Sequence, residues 1–104
     1  MKPVVLVVGK LPGIADRMEA ALSDLQVEWL GATNRDEAVR QLESETNTRA
    51  VVSGGTLDDR VRGDLIGAIA SRRPDLSIHL KDRQSGPEGM PAFARKVVEG
   101  IVLR

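Results

Sequence analysis

Residues 3–10 read Pro3-Val4-Val5-Leu6-Val7-Val8-Gly9-Lys10. Five apolar residues in succession leave no alternate position for a polar side chain. A strand of this kind has no face for water and must be covered on both sides, as a central parallel strand is. Gly9 ends the run, and a helical pattern follows from Ile14. In open α/β sheets, a tight loop between a central strand and a helix is where ligand and switch sites lie.

The spacing of Ile14, Met18, Ala21, Leu22 and Leu25 predicts a helix from Pro12 or Ile14 to Gln26. Val27–Ala32 reads as a second strand, with Trp29 as its large side chain. Asn34 and Glu37 have capping-box spacing and open a helix that runs to about Glu45. The helix is apolar only at Ala38, Val39 and Leu42. Arg49–Ser53 is a third strand, ending in Gly54-Gly55-Thr56. Asp58 and Asp59 favour the positive end of a third helix, whose buried face is Val61, Leu65, Ile66, Ala68 and Ile69; Arg72-Arg73 close it and Pro74 stops it. Leu76, Ile78 and Leu80 alternate with Ser77, His79 and Lys81, the mark of a half-exposed edge strand. Asp82–Met90 is a loop. A last helix spans Pro91–Leu103 and packs through Phe93, Ala94, Val97, Val98 and Ile101. This β-α alternation implies a single α/β domain over residues 1–104. It should be a three-layer sandwich with a mostly parallel four-stranded sheet of order 2-1-3-4 and helices on both faces.

Composition narrows the function. The 104 residues carry fifteen basic and fifteen acidic side chains and no cysteine. Disulfide, zinc-thiolate and thiol chemistry are excluded. The charge balance argues against a nucleic-acid partner, and no apolar run is long enough to span a bilayer. Trp29 and Phe93 are the only aromatic residues, too few for a base-stacking platform. No signal peptide is visible. The expectation is a cytoplasmic protein with no cofactor and no metal site.

The order and spacing of Val4–Val8, Ile14–Gln26, Val27–Ala32 and Ala50–Ser53 resemble the receiver domain of response regulators, a flavodoxin-like fold. That resemblance implies an acidic pair after the first strand to hold magnesium; Gly9 and Lys10 stand there. It also implies a phosphoacceptor aspartate at the end of the third strand; Ser53, Gly54 and Gly55 stand there. Magnesium needs carboxylate oxygens, and an acyl phosphate needs a carboxylate nucleophile. Lys81 is followed by Asp82 where the family has a Lys-Pro pair, and the chain has one strand fewer. The resemblance is therefore to a shortened receiver without its phosphorylation site.

Two function classes follow. One is a non-enzymatic signalling or interaction module with a protein partner. A homodimer through the fourth strand or last helix is one form of it, with His79, Lys81, Val98 and Val102 as surface residues. The other binds a phosphate-bearing ligand or nucleotide in the crevice between Gly9-Lys10 and Ser53-Gly54-Gly55-Thr56, using glycine backbone, hydroxyls and a lysine. The P-loop spacing fails there, because Leu11 follows Lys10. The lone His79 has no nucleophile or ligand cluster to serve in sequence, and no catalytic residue is assigned.

Overall fold

The computed structural model describes residues 2–84 and 86–103; Ser85, inside the predicted Asp82–Met90 loop, lies outside them. The elements are β1 (Val4–Val8), α1 (Ile14–Ala21), β2 (Glu28–Ala32), α2 (Arg35–Ser44), β3 (Thr48–Ser53), α3 (Asp59–Arg72), β4 (Ser77–Leu80) and α4 (Met90–Val97). A 3₁₀ turn at Pro87–Gly89 precedes α4, and a π-helical turn at Val98–Val102 extends it. The strands form one parallel sheet in the expected order β2-β1-β3-β4.

β1 is central because nothing else satisfies its side chains. Val5, Leu6, Val7 and Val8 are each 0% exposed. Val5 and Val7 join Ile14, Met18, Ala94, Val97 and Val98 in one cluster, between the sheet and the α1/α4 layer. Leu6 and Val8 point the opposite way, into a cluster with Ala38, Leu42, Leu65 and Ile69 of α2 and α3. A strand with period-2 side chains thus seeds both cores.

The helix starts follow local chemistry. Gly13, at φ 79°, is the N-terminal cap of α1, a left-handed conformation that costs other residues about 1–2 kcal/mol. Pro12 therefore sits in the preceding turn, not in the helix. α1 also ends earlier than its apolar stripe suggests. Leu22 leaves helical geometry, and the Leu25 N–H closes a turn on the Leu22 carbonyl at 3.0 Å. Both leucines remain buried, and Asp24 meets Arg95 of α4 in a two-pronged contact at 2.8 Å for each oxygen. At α2 the Asn34 side chain accepts from the Glu37 N–H at 2.9 Å, as its spacing implies. The return contact differs from a capping box: the Glu37 carboxylate accepts from the N–H and hydroxyl of Thr33 (2.6 and 2.9 Å). Asp58 caps α3 by accepting from the Val61 N–H.

β4 meets its expectation in part: Leu76 and Ile78 pack against the α2/α3 cluster, and the strand is half-exposed. Ile78 is paired in register with Val51, which faces α2 and α3, and His79 with Val52, which faces α1 and α4. Leu80 follows Ile78 in parity and is 42% exposed. On the other side, Ser77 Oγ and His79 Nε2 are buried, and the Lys81 side chain is 2% exposed. Ser77, Ile78 and His79 are all partly buried, so neither side of the strand is fully open; the departures from the alternating pattern are the exposed Leu80 and the buried Lys81. Lys81 therefore does not lie on an interaction surface, and neither does Val98, which is 0% exposed within the α1/α4 cluster. His79 and Val102 are partly buried. Val61, assigned to the buried face of α3, is exposed, and so is Ile101 of the last helix.

Leu6 has protein on every side, whereas Leu103 is 41% exposed. Urea denaturation should show Leu6→Ala losing about 2–5 kcal/mol of stability, and Leu103→Ala changing it by no more than about 0.5 kcal/mol.

Candidate functional site

Three strand ends converge on one crevice. Gly9, Lys10 and Leu11 follow β1; Gly54, Gly55 and Thr56 follow β3; Lys81, Asp82 and Arg83 follow β4. With Ile14 and Arg17 of α1, and Gly86, Pro87 and Met90, they line a cavity of about 70 Å³. The strand order brings these loops together: β1 and β3 are neighbours, and β4 is next to β3.

Of the residues assigned to a ligand site, Gly9, Lys10, Gly54, Gly55 and Thr56 line this crevice, but Ser53 does not. Ser53 shares the parity of Val51 and so points to the α2/α3 side, where its hydroxyl is buried without a hydrogen-bond partner among the described residues. The crevice opens on the opposite side of the sheet end. Lys81, given above as a surface residue, belongs to the crevice instead.

Backbone donors at the strand ends are largely engaged. The Gly9 N–H bonds the Ala32 carbonyl at 3.0 Å, and the Gly54 N–H bonds the Val8 carbonyl at 2.8 Å. The site's polarity comes from side chains. Lys10, Arg17, Lys81 and Arg83 face a single carboxylate among the lining residues, that of Asp82. The Lys81 ammonium donates to the Asp82 carbonyl at 2.9 Å and lies 3.9 Å from its carboxylate. Arg83 has a structural duty: its guanidinium donates to the Leu57 carbonyl (2.9 Å) and to Asp59 (2.8 Å). That hydrogen bond, with the guanidinium charge, holds the Asp59 carboxyl below its ordinary range. Arg62, also buried, donates to the Lys81 carbonyl at 2.7 Å and so fixes the backbone on which Lys81 sits.

Gly55 is required by this convergence. A Cβ there would stand 2.7 Å from the Asp82 carbonyl oxygen and 3.3 Å from the Arg83 Cα. The β3 loop and the segment after β4 touch through that missing side chain. Sequence reading selected Gly55 for backbone proximity, but expected the neighbour to be a ligand. Arg17, Asp82 and Arg83 were missed. Arg17 lies three residues past Ile14 on a helix whose N-terminus faces the crevice, a weak signal; nothing local marks Arg83 as reaching across to α3. Among the described residues, no group of three or more His, Asp or Glu side chains is arranged to hold a metal ion. No helix is long and apolar enough to cross a membrane among those residues.

No protein-family model and no curated protein matches the sequence. Solved structures do. The chain is similar to Vibrio cholerae chemotaxis protein CheY4, with a TM-score of 0.72, 14% identity, and coverage of 98% of this chain and 100% of that one. It is also similar to the signal receiver domain of an HD domain-containing protein from Pseudomonas fluorescens Pf-5 (TM-score 0.64, 22% identity, 96% and 77% covered). A signal receiver domain from Vibrio parahaemolyticus matches 77% of this chain over 61% of its own length, at 16% identity and a TM-score of 0.61. At these identities the likeness is one of fold. The fold is receiver-like.

Two measurements check the site's construction. Gly55→Ala must push the two loops apart, and should lower stability by about 1–3 kcal/mol in urea denaturation, the usual cost of overpacking. The Asp59–Arg83 tie depends on an ionised carboxylate. Because the folded-state pKa of Asp59 is lowered, its contribution is present above the unfolded value of about 3.9 and is lost as pH falls through the folded one. Hydrogen exchange at Asp82–Gln84 should therefore speed up below about pH 4 relative to β1, and Asp59→Asn should remove that dependence.

Proposed function

We propose that this chain is a receiver-like signalling module that works by binding a protein and is not switched by aspartyl phosphorylation. The observation that carries this reading is the edge position of the fourth strand. β4 is bonded within the described residues to β3 alone, and the apolar row that packs on the α2/α3 core through Leu76 and Ile78 ends in an exposed Leu80. Leu76 and Ile78 are partly buried, Leu80 is 42% exposed and Val61 of α3 is 37% exposed. An unpaired edge bordered by apolar side chains is a surface that proteins normally protect or use. A second copy of this chain or another cytoplasmic protein would serve as occupant.

The switch chemistry of the receiver resemblance finds no support in the residues. Gly9 and Lys10 follow β1, and Ser53, Gly54 and Gly55 end β3. A lone carboxylate, Asp82, lines the crevice. It lies beside a lysine, and no acidic pair accompanies it to hold magnesium. Nothing in the crevice is arranged as a nucleophile and base, so the reading is non-enzymatic.

A second reading, an anion ligand in the crevice, is favoured by the four basic side chains there. It is compatible with the first.

Acetyl phosphate with magnesium should leave the intact mass unchanged; a stable gain of one phosphoryl group would overturn the unswitched reading. Light scattering at micromolar concentration should show a dimer that Leu80→Lys converts to monomer without lowering the thermal midpoint. A wild-type protein that is monomeric throughout would remove the homodimer.

A further inference from the structure

The crevice has an apolar floor and a basic mouth. We infer that it docks one aliphatic side chain of an acidic protein segment, with carboxylates on either side of that anchor held by Lys10 and Arg17. This inference rests on the protein-binding reading above and adds to it a second surface, separate from the β4 edge.

The shape of the crevice limits its occupant. Ile14 and Met90 are buried at its floor, while Leu11 and Pro87 are exposed at its rim. Ile14 Cδ1 lies so close over Gly9 that a Cβ there would collide with it, and a Cβ on Gly55 would meet the Asp82 carbonyl. The cavity is thus fixed on two sides before anything enters it, and it measures about 70 Å³. An apolar cavity of roughly 150 Å³ holds a benzene molecule, so this one suits the end of a single leucine, isoleucine or valine side chain. Sites that enclose a whole drug-sized molecule are several times larger. Leu11 is 53% exposed, the most exposed large apolar side chain among the described residues. An anchor seated in the cavity would cover it.

Charge selects the segment that carries the anchor. Lys81, Asp82 and Arg83 are committed to the crevice wall. The Lys81 ammonium bonds the Asp82 carbonyl and lies near its carboxylate, and Arg83 bonds Leu57 and Asp59. Lys10 and Arg17 are the mobile part of the basic rim, because both side chains are exposed and neither forms a hydrogen bond or ion pair among the described residues. They belong to two elements, the loop after β1 and α1. Cations on two elements suit carboxylates spaced along a chain. Rim charges steer encounter and choose partners more than they add affinity. Lys10 and Arg17 therefore set the preference for acidic segments, and the anchor supplies most of the hold.

Other occupants leave part of the site unused. A small oxyanion would satisfy the two cations but leave Leu11 and the apolar floor uncovered. A nucleotide would find no aromatic ring to stack on, since none of the described lining residues has one.

The test is selection of a random-sequence peptide library on the folded full chain. Fluorescence anisotropy with the selected peptide, fluorescein-labelled, and methyl NMR of its complex follow. Selected peptides should carry aspartate or glutamate around one aliphatic residue. Their binding should move the methyl signals of Leu11, Ile14 and Met90 and leave those of Leu80 in place. Leu11→Ser should weaken binding about tenfold and, at an exposed position, leave the thermal midpoint unchanged. Lys10→Glu and Arg17→Glu should each weaken it about three- to tenfold and reduce its dependence on salt. Selected peptides without acidic residues, or binding that ignores Leu11→Ser and both charge reversals, overturn the inference. Peptides that move Leu80 in place of Leu11 overturn the crevice site while leaving the protein-binding reading intact. Sodium phosphate that displaces the labelled peptide at a lower concentration than unlabelled peptide does assigns the crevice to a small ion, and overturns the peptide. A library that yields no binder also overturns the inference; the protein-binding reading falls with it only if light scattering shows a monomer as well.

Discussion

The structure depends on a strand that has no side for water. Val4–Val8 cannot be placed at an edge or a surface without exposing several large aliphatic side chains, each worth roughly 1.5–3 kcal/mol when buried. The chain therefore has to bring strands to both flanks of β1 and helices to both faces. Right-handed crossovers then leave little choice of order. Once β1 and β3 are neighbours, the loops that leave their C-terminal ends must open on the same side of the sheet. The crevice is thus a consequence of two-sided burial, not an independent feature.

What the crevice contains depends on a second constraint, the side to which the last helix returns. α4 packs beside α1, tied there by Arg95 to Asp24. Around β4 the burial is uneven: Ser77 Oγ, His79 Nε2 and Lys81 are buried, Leu76 and Ile78 pack on the α2/α3 cluster, and Leu80 stays in solvent. The residue types on β4 oppose this arrangement. Buried hydroxyl and imidazole atoms lack partners within the described residues, and a leucine faces water. Local conflicts of this kind concentrate where function or a partner outweighs packing.

Element types, strand order and the central place of β1 were legible because they rest on period and punctuation, which are local properties. The crevice glycines were legible for the same reason, since a strand end with Gly54-Gly55 signals close approach whatever approaches. The fate of Lys81 was not. Alternation from Leu76 to Lys81 divides the side chains between two faces but does not say which face a distant helix will cover. Ser53 failed for a related reason: its position at the strand end was right, but its parity sends it to the far side of the sheet. Arg83 and Arg62 act across loops and could not be assigned from spacing at all. Asp24 and Arg95 are 71 positions apart, and no pattern in the turn after α1 or in α4 announces that the two meet.

The buried lysine and the exposed leucine are adjacent: Leu80 is 42% exposed, whereas the Lys81 side chain is 2% exposed and lines the crevice. Leu80 and Lys81 share one stretch of backbone, pinned to β3 by the Lys81 N–H on the Ser53 carbonyl at 3.0 Å and to α3 by Arg62 on the Lys81 carbonyl. A change in the position of Lys81 therefore cannot leave Leu80 where it was.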